Sequence, residues 1–340
     1  MKPRRTTAQD VADLAGVSRS AVSLVLNDRA DGNIAAETQQ TIRAAAQRLN
    51  YTPHSIAVSL RRQRTQTIGV VTDYIASTAY GGHILSAATR AALDHGYMLL
   101  TVDTHNSEEV EEVAFQRLVD RQVDALVFAG METHEHPVPA LMRTLPSVMI
   151  NSFTADADIP SVCPDERTGG RRAAELLLAA GHRDILWLGG TLDVQPARER
   201  LQGYRDAMRA AGLPAREPLV GGWEIGGAYR VAESVLASPD RPTAILAGND
   251  RSAIGIALAA TRQGLDVPRD LSIVGYDDDD HVAAVMIPPL TTMRLPHDEL
   301  GRIGVRMLVD QLSGTAPQTP EQVLVDCEPI ERASVAPPSS

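Results

Sequence analysis

Four polar side chains stand close together near the N-terminus, in the stretch VSRSAVSLVLN. They are Ser18, Arg19, Ser20 and Ser23, and Leu24 follows them directly. Hydroxyls and a guanidinium at the start of a helix can hydrogen-bond base edges and phosphates in the DNA major groove, whereas a leucine offers only apolar contact, for example with a thymine methyl group. We therefore expect this group of side chains to read DNA.

A second group of polar and aromatic side chains follows apolar runs much further along the chain. Its members are Tyr80, Asp165, Arg200, Trp223, Asp250 and Asp277. Carboxylates and a guanidinium suit vicinal hydroxyls, and an aromatic ring offers a flat apolar face to a sugar. We expect these residues to bind a small-molecule effector, most simply a sugar or polyol, and a nucleobase stacked between the two aromatic rings is the alternative.

Three members of this second group also have simpler structural explanations. Asp250 could cap a helix, Arg200 could pair with a carboxylate of its own lobe, and Trp223 could belong to the core. The sequence does not decide between these roles and effector contact.

Neither a metal centre nor a catalytic site is expected. Asp277 to Asp280 are consecutive, so their side chains diverge, and they lack the spaced ligands and the glycine of a calcium loop. His134 and His136 are expected in a loop, as solvated histidines rather than zinc ligands. The sequence contains no nucleophile elbow or phosphate-binding loop, so we expect no enzyme and no cofactor.

Helical patterns place the first group of polar residues on a helix-turn-helix. A capping box of Thr6 and Gln9 predicts a first helix, Gly16 supplies a tight turn, and Ser18 is a good N-cap for a second helix. A third helix is expected over 37–49, which completes a small three-helix core. The alternative is an ordinary helical hairpin, which would leave the polar face of the second helix unexplained.

The charge of the chain is divided unevenly. The 340 residues carry a formal net charge of -11, yet the first 65 contain ten basic and five acidic residues, which leaves -16 for the rest. A basic module on an acidic body is typical of a nucleic-acid-binding protein. No apolar run approaches the length of a membrane span and no secretory signal is present, so a cytoplasmic protein is expected.

From residue 67 onwards, apolar strands alternate with amphipathic helices. The strands TIGVV, MLLTVD and DALVFAG are followed by DILWLGG, TAILAG and LSIVGYD, so the pattern runs twice. The fold class is therefore α/β, with two lobes of doubly wound parallel sheets behind the helical headpiece. In such lobes, ligands bind beyond the carboxyl ends of the strands, in the cleft.

Two stretches, VSRSAVSLVLN and YTPHSIAVSLRRQRTQTIGVV, resemble the headpiece and hinge of the LacI/GalR family of bacterial transcription regulators. The resemblance implies a hinge helix that pairs with its dimer mate in the minor groove. Leu60 would be the wedge between base pairs, Ala57 would let the paired helices approach, and Arg61 would contact the groove. His54 and Val58 depart from the residues that are common in the family at these positions.

Motifs such as DERTGGRRAAELLLAAGH and GNDRSAIGIALAATRQGL resemble the same family's effector-binding core, which is similar to periplasmic sugar-binding proteins. The resemblance implies that the second group of residues faces an effector. It implies a DNA-binding domain of residues 1–50, a hinge and linker of 51–65 and a core of 66–340. The N-lobe would comprise about 66–164 and 297–320, and the C-lobe about 165–296 and 321–332.

The expected function is that of a ligand-responsive transcriptional repressor. It would bind a palindromic operator in double-stranded DNA as a homodimer, and its effector would control hinge pairing, as inducer or as corepressor. The alternative is a sugar-binding sensor or receptor that does not bind DNA sequence-specifically.

Overall fold

The structure is a computed structural model that describes residues 6–27, 29–30, 32–51, 64–75, 79–137 and 139–339. The predicted hinge residues Ala57, Leu60 and Arg61 lie outside the described residues, and so does the side chain of Tyr80. The chain divides into two compact units. The first comprises Met1–Thr67 with Gln122–Asp124, and the second comprises Ile68–Arg121 with Ala125–Ser340.

The first unit contains the three expected helices. They are α1 (Ala8–Ala15), α2 (Arg19–Leu26) and α3 (Ala36–Arg48). Gly16 ends α1 with a φ of 67°, in the left-handed region that glycine enters without a steric penalty. Two residues later, the Ser18 side chain accepts a hydrogen bond from the Ala21 N–H at 3.1 Å and caps α2. The helix-turn-helix prediction is confirmed.

One detail of the first helix differs from the sequence prediction. The capping box pairs Thr7 with Asp10, because the Thr7 N–H donates to the Asp10 carboxylate at 2.8 Å while the Thr7 hydroxyl accepts from the Asp10 N–H at 3.3 Å. Thr6, expected to cap, instead donates its hydroxyl to the carbonyl of Leu49 at 3.2 Å. The helix starts one residue later than a Thr6 cap requires.

The apolar residues of the three helices form one small core. Its fully buried members are Val11, Ala12, Val22, Val25, Ala30, Ile42, Ala45 and Ala46. They leave the first turn of α2 exposed, where Ser18, Arg19 and Ser20 lie.

The second unit contains two six-stranded sheets with helices packed against them. The strands are β1 (Thr67–Thr72), β2 (Met98–Asp103), β3 (Ala125–Glu135), β4 (Ser147–Phe153), β5 (Ser161–Pro164), β6 (Ile185–Gly189), β7 (Leu219–Val220), β8 (Ala244–Ala247), β9 (Ser272–Asp277), β10 (Thr291–Arg294), β11 (Gln322–Val325) and β12 (Glu328–Ile330). The helices are α4 (Ala79–Asp94), α5 (Glu108–Asp120), α6 (Glu166–Ala179), α7 (Gln195–Ala210), α8 (Ile225–Leu236), α9 (Asp250–Arg262) and α10 (His297–Ser313), with a 3-10 turn at Ala140–Arg143.

Each sheet is the centre of one lobe. The strand order is β11-β5-β4-β3-β1-β2 in the N-lobe and β12-β10-β9-β8-β6-β7 in the C-lobe, and parallel pairing dominates both sheets. The two doubly wound lobes that the sequence predicts are therefore present. No described helix is long and apolar enough to cross a membrane.

The last part of the chain departs from the predicted lobe boundaries. Residues 321–332 were expected in the C-lobe, but Gln322–Val325 pairs in parallel with Ser161–Pro164 in the N-lobe sheet. Val323 and Val325 pack on the N-lobe core, whereas Glu328–Ile330 pairs with β10 in the C-lobe sheet. The burial of these two valines places the strand in the first sheet. The chain thus passes between the lobes three times, after β5, after β10 and after β11.

Candidate functional site

A cavity of about 620 Å³ lies at the carboxyl ends of the strands, with walls from both lobes. Its size falls within the range of small-molecule sites. The N-lobe wall consists of Tyr74, Met131, Glu132, Thr133, Asn151 and Pro164. The C-lobe wall includes Glu166, Pro196, Arg200, Trp223, Glu224, Asn249, Arg251, Asp277 and Asp279. His297 lines the cavity from the start of α10, which packs on the N-lobe.

The N-lobe wall is shaped by an irregularity in β3. The register between β3 and β4 shifts between Ala129 and His134, which turns this part of the strand towards the cavity. The Asn151 side chain braces the irregular stretch, since its amide donates to the carbonyls of Gly130 and Met131 at 3.0 and 2.9 Å. Asn151 also accepts a hydrogen bond from the Thr133 hydroxyl at 2.7 Å. Two polar side chains of the wall are thus fixed before any ligand binds.

Arg200 and Glu166 form the charged centre of the C-lobe wall. The Arg200 Nε and Nη2 atoms donate to the two oxygens of Glu166, at 2.7 and 2.9 Å, and Nη1 donates to the Gly248 carbonyl at 2.7 Å. The guanidinium also lies 3.7 Å from the centre of the Tyr276 ring. Burial opposes the charge of Arg200, but Glu166 outweighs it and raises the pKa of the guanidinium above its ordinary value.

Two glycines allow this ion pair to form. A β-carbon at Gly170 in α6 would lie 2.2 Å from the Arg200 carbonyl oxygen, and one at Gly203 in α7 would lie 2.1 Å from the Arg167 carbonyl oxygen. No larger residue fits at either position without moving the helices apart. The glycines of the sequence motifs DERTGG and RERLQGY therefore bring Glu166 and Arg200 within hydrogen-bonding distance.

The turn after β9 supplies the acidic side of the cavity. Asp250 is fully buried beneath it, where it accepts hydrogen bonds from the Thr292 hydroxyl at 2.6 Å and from the Asp279 N–H at 2.8 Å. Burial raises the pKa of Asp250 to about 7. Asp278 forms ion pairs with Arg294 and Arg332, which together with the Asp250 hydrogen bonds hold the turn in place. Asp277 and Asp279 of this turn line the cavity.

The structure brings three of the predicted effector residues together. Arg200, Trp223 and Asp277 all line the cavity, and the Arg200 Nη1 lies 3.8 Å from an Asp277 oxygen. Direct contact of these residues with an effector stays a prediction.

Asp165 and Asp250 do not line the cavity, contrary to the expectation that they face the effector. Asp165 caps α6 by accepting a hydrogen bond from the Thr168 N–H at 2.9 Å. The next residue, Glu166, lines the cavity instead. Both oxygens of Asp250 are used inside the protein, as described above. Both carboxylates are engaged by hydrogen bonds within the protein.

Several residues of the N-lobe wall were not identified from the sequence. Glu132 is the most informative of them, because burial raises the pKa of its carboxyl group and no described residue donates a hydrogen bond to it. Tyr74 lies on the same wall, and burial followed by the charge of Glu132 raises the pKa of its hydroxyl. The sequence signal was available, since GMETHE continues the strand DALVFAG, whose end was placed too early.

His134 and His136 are not the solvated loop residues that the sequence suggested. β3 extends to Glu135, the His136 ring stacks on Phe128 with 3.8 Å between ring centres, and its side chain is only 16% exposed. Extension of the strand and the aromatic contact hold both rings against the lobe. Among the residues that the structure describes, no three His, Cys, Asp or Glu side chains are grouped as a metal site.

In the first unit, the predicted DNA-reading residues lie on and around the first turns of α2. Ser18, Arg19 and Ser20 are exposed, whereas Ser23 and Leu24 are half-buried. Ser23 lies next to Asn27, whose amide donates to the Ser23 carbonyl at 2.6 Å. The exposed helix start, with its free N–H groups and one guanidinium, has the chemistry of a groove-reading helix.

A helix-turn-helix unit and a two-lobed core with a cavity at its strand ends define the class of ligand-binding regulatory proteins. Comparison with known proteins agrees with this class. The family model for bacterial regulatory proteins of the lacI family matches residues 7–54, and the model for a periplasmic binding protein-like domain matches residues 174–335.

Individual relatives match over nearly the whole chain. The ribose operon repressor of Escherichia coli K12 is 35% identical over 311 residues, which cover 90% of this chain and 93% of the relative. The transcriptional repressor PurR of Escherichia coli is 33% identical over 336 residues, which cover 97% of each chain.

Solved structures of similar proteins include the lac repressor dimer bound to operator and the anti-inducer ONPF. That structure has a TM-score of 0.83 and 27% identity, and the match covers 98% of this chain and all of the other. The complex of the regulator CelR with cellobiose has a TM-score of 0.68 and 27% identity, over 97% of this chain and all of the other. The chain belongs to the LacI family of bacterial regulatory proteins and is a DNA-binding transcriptional regulator.

Proposed function

We propose that the protein is a homodimeric repressor whose binding to operator DNA is controlled by an uncharged sugar or polyol held in the effector cavity. The observation that carries this proposal is the cavity itself, which is walled by both lobes at their strand ends and lined by the Arg200–Glu166 pair, Asp277 and Trp223. A ligand that contacts both walls favours one angle between the lobes, which is the requirement for a switch.

The charge of the cavity supports an uncharged ligand. Five carboxylates lie on its wall, belonging to Glu132, Glu166, Glu224, Asp277 and Asp279. The two lining guanidinium groups are both engaged by carboxylates, Arg200 by Glu166 and Arg251 by Glu224 at 2.6 Å. A phosphate or carboxylate group would be repelled by this excess of negative charge in a partly desolvated site. Hydroxyl groups, in contrast, can donate hydrogen bonds to the carboxylates.

Glu132 provides the specific reason to expect a hydroxyl donor. Its carboxyl group is partly buried on the wall without a hydrogen-bond donor among the described residues, and burial raises its pKa. A polyol hydroxyl placed there would donate the missing hydrogen bond. One named relative is a ribose operon repressor and another is a regulator in complex with cellobiose, so pentoses and small oligosaccharides are the first ligands to test.

The proposed dimer contact is an apolar face on the edge of the N-lobe. Leu93 at the end of α4, with Met98 and Leu100 in the edge strand β2, expose 58%, 66% and 39% of their surface. An edge strand with apolar side chains pairs readily with another chain, and a palindromic operator requires two headpieces. The second copy of this chain is the proposed occupant, and the similar lac repressor is a dimer.

We further propose residues 1–50 as the DNA-binding domain and 51–65 as the hinge, with Leu60 as the minor-groove wedge. A protein whose partner is operator DNA belongs in the cytoplasm. The Arg200 and Arg251 guanidinium groups on the cavity wall are both engaged by carboxylates, which supports a binding site without a chemical step.

The experiment that tests the proposal is selection of bound sequences from random duplex DNA by the full-length protein. A two-fold symmetric sequence should be enriched. Arg19→Ala should relax the preference at one base pair in each half-site, while Arg48→Ala, which removes an exposed arginine of α3, should leave the sequence profile unchanged. Enrichment of no sequence would contradict sequence-specific binding.

A further inference from the structure

The two histidines at the end of β3 form a side-chain cluster that the proposed function does not use. His134 and His136 stand two positions apart, so both rings lie on the same side of the extended chain. The His134 Nε2 and His136 Nδ1 atoms face each other at 3.4 Å. The two ring planes are nearly perpendicular, at 88°.

The hydrogen bonds on the outer sides of the two rings determine where their protons are. The His134 Nδ1 lies 2.7 Å from the Glu132 carbonyl oxygen, which can only accept, so Nδ1 carries a hydrogen. The His136 Nε2 lies 3.0 Å from a carboxylate oxygen of Glu111, so Nε2 carries a hydrogen as well. When both imidazoles are neutral, neither facing nitrogen carries a hydrogen and each presents a lone pair, whereas a proton taken up by the pair would lie between them in a hydrogen bond.

We propose that these two lone pairs bind a divalent transition-metal ion such as Zn²⁺. Ligands about 2.1 Å from a tetrahedral ion lie about 3.4 Å apart, and the two nitrogens have that separation. Imidazole is a preferred ligand of zinc, copper and nickel. The described part of the chain supplies these two ligands, and water would complete the coordination.

The surroundings of the pair are those of a metal-binding histidine pair. Histidine ligands usually donate their second N–H to a carboxylate or a carbonyl, which fixes the ring and raises the basicity of the ligating nitrogen. Glu111 and the Glu132 carbonyl provide both kinds of partner here. Glu111 also adds a negative charge, and its side chain is only 12% exposed.

The site is tied to the wall of the effector cavity through one residue. The Glu132 carbonyl holds His134, while Glu132 itself lies on the cavity wall. A bound ion therefore fixes the main chain that carries Glu132.

Zinc binding to the untagged full-length protein, followed by isothermal titration calorimetry at neutral pH, tests the proposal. One equivalent of Zn²⁺ should bind with saturation below about 1 mM, and either His134→Gln or His136→Gln should weaken binding by at least about tenfold. His105→Gln, which changes a side chain that is 72% exposed, is the matched control and should bind as the wild type does.

A second measurement uses the wild-type protein, so its result does not depend on whether the variants fold. Electron paramagnetic resonance of the Cu²⁺-loaded wild-type protein should show two nitrogen ligands. Glu111→Gln should keep the stoichiometry and weaken binding by about tenfold, because Glu111 only positions His136. Absence of saturable binding, unchanged binding in both histidine variants or a spectrum without nitrogen coupling would overturn the proposal.

Discussion

The guanidinium of Arg200 and the carboxylate of Glu166 form two hydrogen bonds, of 2.7 and 2.9 Å, and both side chains are almost fully buried. The pair stands where α6 and α7 approach most closely, at Gly170 and Gly203. It also lies on the cavity wall. The same contact thus packs the C-lobe and fixes the guanidinium on the cavity wall.

Removal of one charge from the buried Arg200–Glu166 pair should lower the free energy of unfolding much more than removal of one charge from an exposed ion pair. Glu166→Gln leaves the Arg200 charge buried with one weaker partner, so the free energy of unfolding should fall by about 3 kcal/mol. The matched control is Glu175→Gln, because Glu175 pairs with Arg171 at 2.6 Å with both side chains nearly half exposed. That control should change the free energy of unfolding by less than about 0.5 kcal/mol.

Urea unfolding of both variants at neutral pH measures the difference. An equal loss of unfolding free energy in the two variants would show that burial does not make the Arg200–Glu166 pair more important for stability than the exposed pair. Glu166→Gln should also weaken sugar binding, whereas Glu175→Gln should not.

The buried carboxyl group of Asp250 should make the stability of the core depend on pH. Its pKa is about 7 in the folded protein, above the ordinary value of 3.8. The folded state therefore binds the proton more tightly than the unfolded state does, and the contribution of Asp250 to stability is largest below about pH 4 and declines as the pH rises to about 7.

Asp250→Asn removes this titration while the amide can still accept from the Asp279 N–H and donate to Thr292. As the pH rises from about 4 to about 7, the wild type should lose stability relative to the variant, because only the wild type has the titrating carboxyl group. Denaturant unfolding at several pH values measures it. A constant difference across this range would show that Asp250 titrates as an ordinary carboxyl group.

The charge of the cavity should exclude anionic sugars. In a calorimetric panel, uncharged monosaccharides that bind should do so at least about tenfold more tightly than their phosphate esters or uronic acids, a difference of about 1.4 kcal/mol. Glu132→Gln removes one negative charge from the wall and should reduce the difference in affinity between uncharged and anionic sugars. The control is Glu135→Gln, because Glu135 lies three residues further along β3, is exposed and does not line the cavity. Tighter binding of the phosphate esters by the wild type would contradict the proposed ligand class.

The apolar edge of the N-lobe should be required for dimer formation. Met98→Glu places a charge on β2, at the centre of the proposed contact, and should shift the protein to monomers in sedimentation velocity. Val220→Glu changes a side chain that is 50% exposed in β7, at the edge of the other sheet, and should leave the dimer intact. A monomeric wild-type protein, or a dimeric Met98→Glu variant, would place the interface elsewhere.

The main architecture could be predicted from the sequence because its signals are local. Gly16 and Ser18 specify a turn and a helix start by their own backbone and side-chain chemistry, and alternating strands and helices specify doubly wound lobes. The capping box was displaced by one residue because Thr6 and Thr7 are both able to cap, and only the contact of Thr6 with Leu49 distinguishes them.

The functional site was less predictable because it depends on contacts between distant segments. Asp250 looked like a ligand contact, but its partners Asp279 and Thr292 follow it by 29 and 42 residues and bury it beneath a turn. Glu132 was missed because β3 continues through Glu135 past the register shift at Ala129–His134, beyond the predicted end of the strand. β11 was assigned to the wrong lobe because its pairing with β5 spans about half of the chain.

The most direct test of the account is the effect of sugar on operator affinity. The Kd of the selected duplex should be measured by fluorescence anisotropy with and without a saturating concentration of the sugar that binds the core. The Kd should change by at least about fivefold, and DNA should change the affinity for the sugar by the same factor. Asp277→Asn, which keeps the shape of the side chain, should bind the duplex normally and lose the response. An identical Kd at saturating sugar in the wild type would contradict control of DNA binding by the cavity.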